Sequence, residues 1–175
     1  MSDSSSEPKS NRSLSPNIVI KMGPPPTFNI TCYGFHLWAE DFLSAEKVYA
    51  PTARQGSLVG HFLCCQSIEL SLKGFLSLKG LKRTELRKRF GHNLVKLYTD
   101  ARTMGIGNLV TLKNDDVKVL TKANAWYDSA AGKKLQYFDA WEALNAFKSA
   151  PELSALEEIA GRLQSETLRE AVLKG

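Results

Sequence analysis

The stretch of sequence that most constrains the fold is the segment 57–80, which reads SLVGHFLCCQSIELSLKGFLSLKG. Its apolar residues recur at intervals of three and four, the spacing of an α-helix, and they occupy more than one side of that helix. A helix that is apolar on several sides has to be surrounded by other elements, so this segment is predicted to be the central helix of a bundle. One stripe consists of Leu58, Phe62, Cys65, Ile68, Leu72 and Phe75, and another contains Leu63 and Leu70.

Helical patterns also occur on both sides of this segment. One begins near Phe35 and is ended by Pro51, because the residue before a proline avoids the helical conformation. After the central segment, a short helical turn begins at Thr84. A third long helix then begins near Gly91 or His92 and stops in a stretch that contains two glycines.

The C-terminal part of the chain contains two further helical patterns, at 114–131 and 151–172. The segment between them, 134–147, fits either an extended chain or a helix. We find no strand-like alternation and no internal repeat in the sequence. The sequence therefore predicts an all-α fold, an antiparallel up-and-down helical bundle of about five helices.

Composition and the chain's N-terminal part bound the class of protein. Residues 1–30 are rich in Ser, Pro and Asn and contain GPPP at 23–26, which predicts a disordered or loosely docked N-terminal arm. Residues 31–175 have the length of a single domain. No apolar run approaches the roughly 18 residues needed to cross a bilayer, and the chain starts without an export signal. We therefore expect a cytoplasmic protein with no membrane partner.

The cysteines do not indicate a disulfide framework or a metal site. Cys32, Cys64 and Cys65 are odd in number and lack a CxxC spacing, and the adjacent pair would point in different directions from one helix. A site that combined them with His36 or His61 would not match the known zinc-ligand spacings. We expect reduced thiols, no metal and no cofactor.

Positive charge is concentrated in one part of the chain. Between Lys79 and Arg102 there are eight basic residues and two acidic residues, whereas the whole chain has a net charge of +5. Such a field favours anionic partners, although a basic face that only keeps the protein soluble has the same composition. The basic residues are Lys79, Lys82, Arg83, Arg87, Lys88, Arg89, Lys96 and Arg102, and the acidic ones are Glu85 and Asp100.

The run CCQSIELSLKGFLSLKG, followed by LRKRFGHNLVKLYTDARTMGI, resembles the second and third helices of HEPN-type domains, named for higher eukaryotes, prokaryotes and nucleotide binding. The matching features are Glu69 and Lys73, the glycine that ends their helix, and the GHNL that opens the next one. The resemblance covers about 35–131. It implies an up-down bundle that commonly forms homodimers and is often linked to RNA cleavage, toxin–antitoxin pairs or phage defence. The ribonuclease motif of the family, an Arg and then a His four to six residues later, is matched by Arg87 and His92.

RNA cleavage without a metal needs a base of near-neutral pKa to take the 2′-hydroxyl proton and a fixed cation to stabilise the phosphorane. His92 and Arg87 are residues of these types. Because residues five apart lie on different faces of a continuous helix, the two side chains converge only if Gly91 interrupts the helix. A metal-independent ribonuclease of the toxin–antitoxin or phage-defence type is therefore the alternative function.

The same residues also predict a site that binds without chemistry. The unpaired amides of the helix start, together with the arginines and lysine before it, would attract a phosphate group. Our preferred function is a non-catalytic module that binds RNA, a nucleotide or an operon-encoded partner protein. A purely architectural role for this helix start is the third interpretation. The predicted ligand-binding residues are Arg87, Lys88, Arg89, Gly91, His92 and Asn93.

Glu69 and Lys73 lie four residues apart in the order that favours a helical ion pair. If they are buried, they have to contact each other or a polar partner such as His92, and we predict a structural role for the pair. Trp126, Tyr127, Tyr137 and Phe138 could stack on bases, but aromatic residues at helical spacing are more typical of a core or a dimer interface.

Overall fold

The computed structural model describes residues 31–54, 57–128 and 150–174, and every regular element in these ranges is helical. This confirms the all-α helical bundle that the sequence predicts. The predictions for 1–30 and 134–147 lie outside the described residues. The helices are α1 (Cys32–Tyr49), α2 (Val59–Leu78), α3 (Arg83–Phe90), α4 (Leu94–Thr103), α5 (Asn114–Tyr127) and α6 (Leu153–Lys174), with short 3-10 turns at Ala50–Thr52 and Ile106–Asn108.

Helix α2 is the centre of the bundle. It packs against each of the other five described helices, most extensively against α1 and α6. Its side chains are buried around most of its circumference because the sequence offers apolar or small residues on several sides. The residues of α2 with no solvent exposure include Cys65, Ile68, Leu72, Phe75 and Leu76.

The short helical turn that the sequence predicts from Thr84 is a separate helix, α3. Helix α3 begins at Arg83 and forms eight residues of regular helix. Leu86 and Phe90 are buried and attach it to the core, while the side chains between them are exposed. The described chain therefore contains six α-helices rather than about five.

The turn between α3 and α4 fixes where the fourth helix starts. Gly91 has a φ of 55°, a conformation that residues with a side chain rarely adopt, and it ends α3. Asn93 is the N-cap of α4, because its side-chain oxygen accepts a hydrogen bond of 2.8 Å from the amide of Lys96. The helix thus starts at Leu94, three residues after Gly91, where the sequence suggested a start.

The last helix starts slightly later than its pattern predicts. Helix α6 begins at Leu153, two residues after Pro151. Pro151 is buried, and its carbonyl oxygen lies 2.8 Å from Nε2 of His61 on α2. Asp116 on α5 and Arg162 on α6 form an ion pair of 2.9 Å, so α6 is tied to two neighbours.

Among the described residues, no helix combines the length and the apolar character that a membrane span requires. All three cysteines are free, and Cys64 and Cys65 are buried. Within the described ranges, no group of three or more His, Cys, Asp or Glu side chains is arranged to hold a metal ion.

Candidate functional site

A buried carboxylate lies directly behind the predicted site. Glu69 on α2 is only 3% exposed. Its carboxylate forms a salt bridge with Lys73 one turn further along the same helix. It also accepts hydrogen bonds from Nδ1 of His92 at 3.0 Å and from the hydroxyl of Tyr127 at 2.6 Å. We call Glu69, Lys73, His92 and Tyr127 the Glu69 cluster.

The Glu69 cluster keeps its carboxylate ionised. Burial raises the pKa of Glu69, but the hydrogen bonds from His92, Lys73 and Tyr127 together outweigh burial, and the pKa lies below its ordinary value of 4.5. Burial and the adjacent carboxylate raise the pKa of the Tyr127 hydroxyl well above its ordinary value. This hydroxyl therefore keeps its proton and donates a hydrogen bond to Glu69. Each oxygen of the buried charge therefore has at least one donor.

His92 is held by the buried carboxylate and still reaches solvent. Its side chain is 52% exposed, and its ring stands edge-on to Tyr127 with 6.2 Å between the ring centroids. The hydrogen bond to Glu69 raises the pKa of His92 above 6.5 despite partial burial. Because Nδ1 faces Glu69, the hydrogen bond fixes the ring and leaves Nε2 as the nitrogen available to a ligand.

Lys73 connects the central helix to the turn that carries His92. Its ammonium group donates a hydrogen bond of 2.8 Å to the carbonyl oxygen of Gly91 in addition to pairing with Glu69. This contact satisfies a carbonyl at the end of α3 and holds the turn against α2. The glycine does interrupt the helix between Arg87 and His92, which is the condition that the sequence set for their convergence.

The protein's own side chains use the first amides of α4. The amide of Lys96 is bonded to Asn93, and the amide of Leu94 donates to Oδ1 of Asn124 at 2.7 Å. The side-chain amide of Asn93 donates to Asp128, which is buried. Asn93 therefore acts as a structural link between α4 and the end of α5. The helix-start amides offer a phosphate less than the sequence suggested.

The basic residues, by contrast, are all on the surface. Each of the eight between Lys79 and Arg102 is exposed. Arg89 pairs with Asp100, while Arg87 and Lys88 form no ion pair within the described part of the chain. We call the exposed basic side chains of α3 and the start of α4 the basic ledge. It consists of Lys82, Arg83, Arg87, Lys88, Arg89, His92 and Lys96.

Some contributors to this region were not predicted as site residues. Tyr127 and Trp126 are 8% and 3% exposed, so both belong to the core and neither offers a face for stacking on a base. Asn124 and Asp128 complete the attachment of α4. The only sequence signal for these contacts was the helical pattern that placed Tyr127 and Asn124 on one face of α5.

No family model matches the chain, and no curated protein or solved structure shows a significant similarity to it.

Proposed function

We propose that this chain is a HEPN-like binding module that binds RNA or a nucleotide at the basic ledge without chemical conversion. One observation carries the proposal: every basic residue between Lys79 and Arg102 is exposed, and Arg87 and Lys88 have no acidic partner among the described residues. Cations that are not neutralised internally attract phosphates and release their counterions on binding.

The Glu69 cluster supports this proposal. The charges of Glu69 and Lys73 compensate each other below the surface, so that the buried carboxylate of Glu69 does not reduce the positive charge of α3. His92 adds a titratable donor to the ledge, and the hydrogen bond to Glu69 raises the pKa of this imidazole above its ordinary value. The ledge would therefore recognise phosphate groups by charge rather than by base identity.

The proposed module acts in the cytoplasm as a homodimer, alone or with an operon-encoded protein. A second copy of the chain has a suitable face on α1, where Leu37 and Trp38 are 40% and 48% exposed. Beside them lies a cavity of about 450 Å³ lined by Trp38, Asp41, Phe42, Ala45 and Leu63. An exposed apolar patch of this kind is typical of an interface between proteins.

The test is binding of a short labelled single-stranded RNA, measured by fluorescence anisotropy over a range of salt concentrations. The double variant Arg87→Ala/Lys88→Ala should bind more weakly, and the magnitude of the slope of log affinity against log salt should fall by about 1.4, since each phosphate contact to a single strand contributes about 0.7. The matched control is Lys118→Ala/Arg169→Ala, which removes the same charge from α5 and α6, where both residues pair with acids. Equal affinities of the two variants, or an affinity that does not depend on salt, would contradict the proposal.

A second function is favoured by one specific observation, the hydrogen bond between His92 and the buried carboxylate of Glu69. A carboxylate that orients an imidazole and leaves its other nitrogen exposed is suited to general acid–base chemistry. In a metal-independent ribonuclease, Nε2 of His92 would take the 2′-hydroxyl proton and Arg87 would stabilise the phosphorane. Cleavage of RNA in EDTA that is lost in His92→Ala, with unchanged circular dichroism, would establish this function. RNA that stays intact under these conditions would contradict the ribonuclease function and favour the binding module.

A further inference from the structure

A second buried carboxylate, that of Glu46, lacks the hydrogen-bond donors that surround Glu69. Glu46, near the C-terminal end of α1, has no solvent exposure, and no N–H or hydroxyl group of the described residues donates to either of its carboxylate oxygens. The chain packs tightly over it: a Cβ atom at Gly60 on α2 would lie 3.3 Å from Oε1 of Glu46 and 3.0 Å from Leu153 on α6. A buried ionised carboxylate without donors is strongly unfavourable.

The charged and titratable groups that face Glu46 come from all three helices around it. They are Lys47 on α1, Cys64 on α2 and Glu157 on α6. Burial, then a hydrogen bond with Glu157 and the negative charge of Glu157, raises the pKa of Glu46 to about 7. Since an ionised carboxylate can only accept, the two acids can share a hydrogen bond only while one of them carries a proton.

We propose that the first turns of α6 dock on α1 and α2 in a proton-dependent manner, with one proton shared between the carboxyl groups of Glu46 and Glu157. When that proton is present, the pair is bonded and carries a single negative charge. When it is lost, the buried charge of Glu46 and the partly buried charge of Glu157 repel each other and push α6 away. The contact is a pH-sensitive element built into the bundle.

The direction of the effect follows from proton linkage. The docked state binds the proton more tightly than the undocked state, in which the pKa of Glu46 returns toward 4.5. Docking is therefore strongest below about pH 4.5, weakens as the pH rises from about 4.5 to about 7, and changes no further above about 7. The contact between His61 and the Pro151 carbonyl holds the chain just before α6, so we expect local opening rather than detachment.

The other end of the same seam responds to pH in the opposite direction. Burial lowers the pKa of His36, which contacts Thr167 on α6, from 6.5 to about 4. The seam at His36 is therefore weakened as the pH falls from about 6.5 toward 4. A test of the Glu46–Glu157 pair has to be local to the start of α6 and has to compare variants at the same pH.

The experiment is amide hydrogen exchange of peptides that cover 153–163, at about pH 5 and about pH 7.5, corrected for the intrinsic rates. In Glu46→Gln, whose amide donates to Glu157 at every pH, protection should be nearly equal at the two pH values. In the native chain, the opening equilibrium of this segment should increase by tenfold or more between the two pH values, whereas in Glu46→Gln it should not. The reason is that each pH unit between the undocked and the docked pKa of Glu46 changes this equilibrium by a factor of up to about ten. The matched control is Glu158→Gln, an exposed neighbour on α6 that should behave like the native chain.

Parallel exchange profiles of the native chain and Glu46→Gln would overturn the proposal. If Glu46→Gln does not fold, Glu157→Gln tests the same pair from α6. The expected result for that variant is the same loss of pH dependence, and an unchanged pH dependence would again overturn the proposal.

Discussion

Two buried glutamates in one bundle have pKa values that are shifted in opposite directions. Glu69 faces α4 and α5 and accepts from a lysine, a histidine and a tyrosine. Glu46 faces α2 and α6 and has a second carboxyl group as its polar neighbour. Both are almost completely buried, yet the pKa of Glu69 is lowered and the pKa of Glu46 is raised to about 7.

Burial alone does not determine the charge of an acid in this protein. Desolvation raises the pKa of both glutamates, and only the number of donors within reach differs. In the Glu69 cluster, the charged carboxylate binds His92, and Lys73 holds the Gly91 turn. The seam between α1 and α6 is instead most stable while Glu46 and Glu157 share a proton, which makes it sensitive to pH.

The largest expected effect comes from breaking the Glu69 cluster. Glu69→Gln leaves the ammonium of Lys73 with a neutral neighbour in a site where its side chain is only 12% exposed. We expect the free energy of unfolding to fall by about 3 kcal/mol at neutral pH, because removing one partner of a buried ion pair is strongly destabilising. Urea denaturation measures this loss. Glu46→Gln, measured in parallel at about pH 7.5, should be at least as stable as the native chain. A destabilisation of similar size in both variants would contradict the comparison.

The next effect concerns the other end of the seam between α1 and α6, at His36. A Cβ atom at Gly74 would lie 2.6 Å from two atoms of the buried ring of His36. Gly74→Ala should therefore destabilise the protein by about 2 kcal/mol, because the ring cannot move without opening the contact between α1 and α6. The matched control is Gly161→Ala, a helical glycine with no atoms close to its would-be Cβ, which should increase stability slightly. Thermal unfolding of both variants is the measurement, and equal melting temperatures would show that the packing around Gly74 is loose.

A smaller change sharpens the account of Glu69 by removing a single donor. Tyr127→Phe keeps the ring in the core and deletes the hydrogen bond of 2.6 Å to the carboxylate. We expect a loss of about 1.5 kcal/mol, the size typical of a hydrogen bond to a charged group. Tyr98→Phe is the matched control, since Tyr98 is buried on α4 and its hydroxyl forms no hydrogen bond with the described residues. Equal losses in the two phenylalanine variants would remove the donor argument.

The smallest effect concerns the charge on His92. Its raised pKa means that its contribution to stability is present below pH 6.5 and is lost as the pH rises through the folded pKa. Proton NMR of the imidazole should show a pKa above 6.5 in the native chain and a lower pKa in Tyr127→Phe/Glu69→Gln, where the carboxylate is gone. A native pKa at or below 6.5 would mean that Glu69 does not hold the ring in solution.

The sequence predicts the parts of this structure that depend on nearby residues. The apolar pattern of 57–80 placed α2 at the centre, and the spacing of Glu69 and Lys73 predicted their pairing if buried. The predicted start of α4 was two to three residues too early, because Asn93 caps the helix and the glycine before it does not. In each case the determining contact lies within one or two helical turns.

The parts that the sequence does not predict depend on contacts between distant helices. Tyr127 and Asn124 reach the site because α5 packs beside α4, and nothing in their local sequence marks them as polar partners. The pairing of Glu46 with Glu157 requires α1 and α6 to be adjacent. Glu46 lies at helical spacing from the buried residues Ala39 and Leu43, but that spacing cannot name its partner.

The most direct test of the central claim is a carboxyl-carbon NMR titration of both glutamates in the native protein, assigned with Glu69→Gln and Glu46→Gln. The account predicts that Glu69 titrates below 4.5 and that Glu46 titrates near 7. Two glutamates that titrated together near 4.5, or a Glu69 that titrated above Glu46, would contradict it.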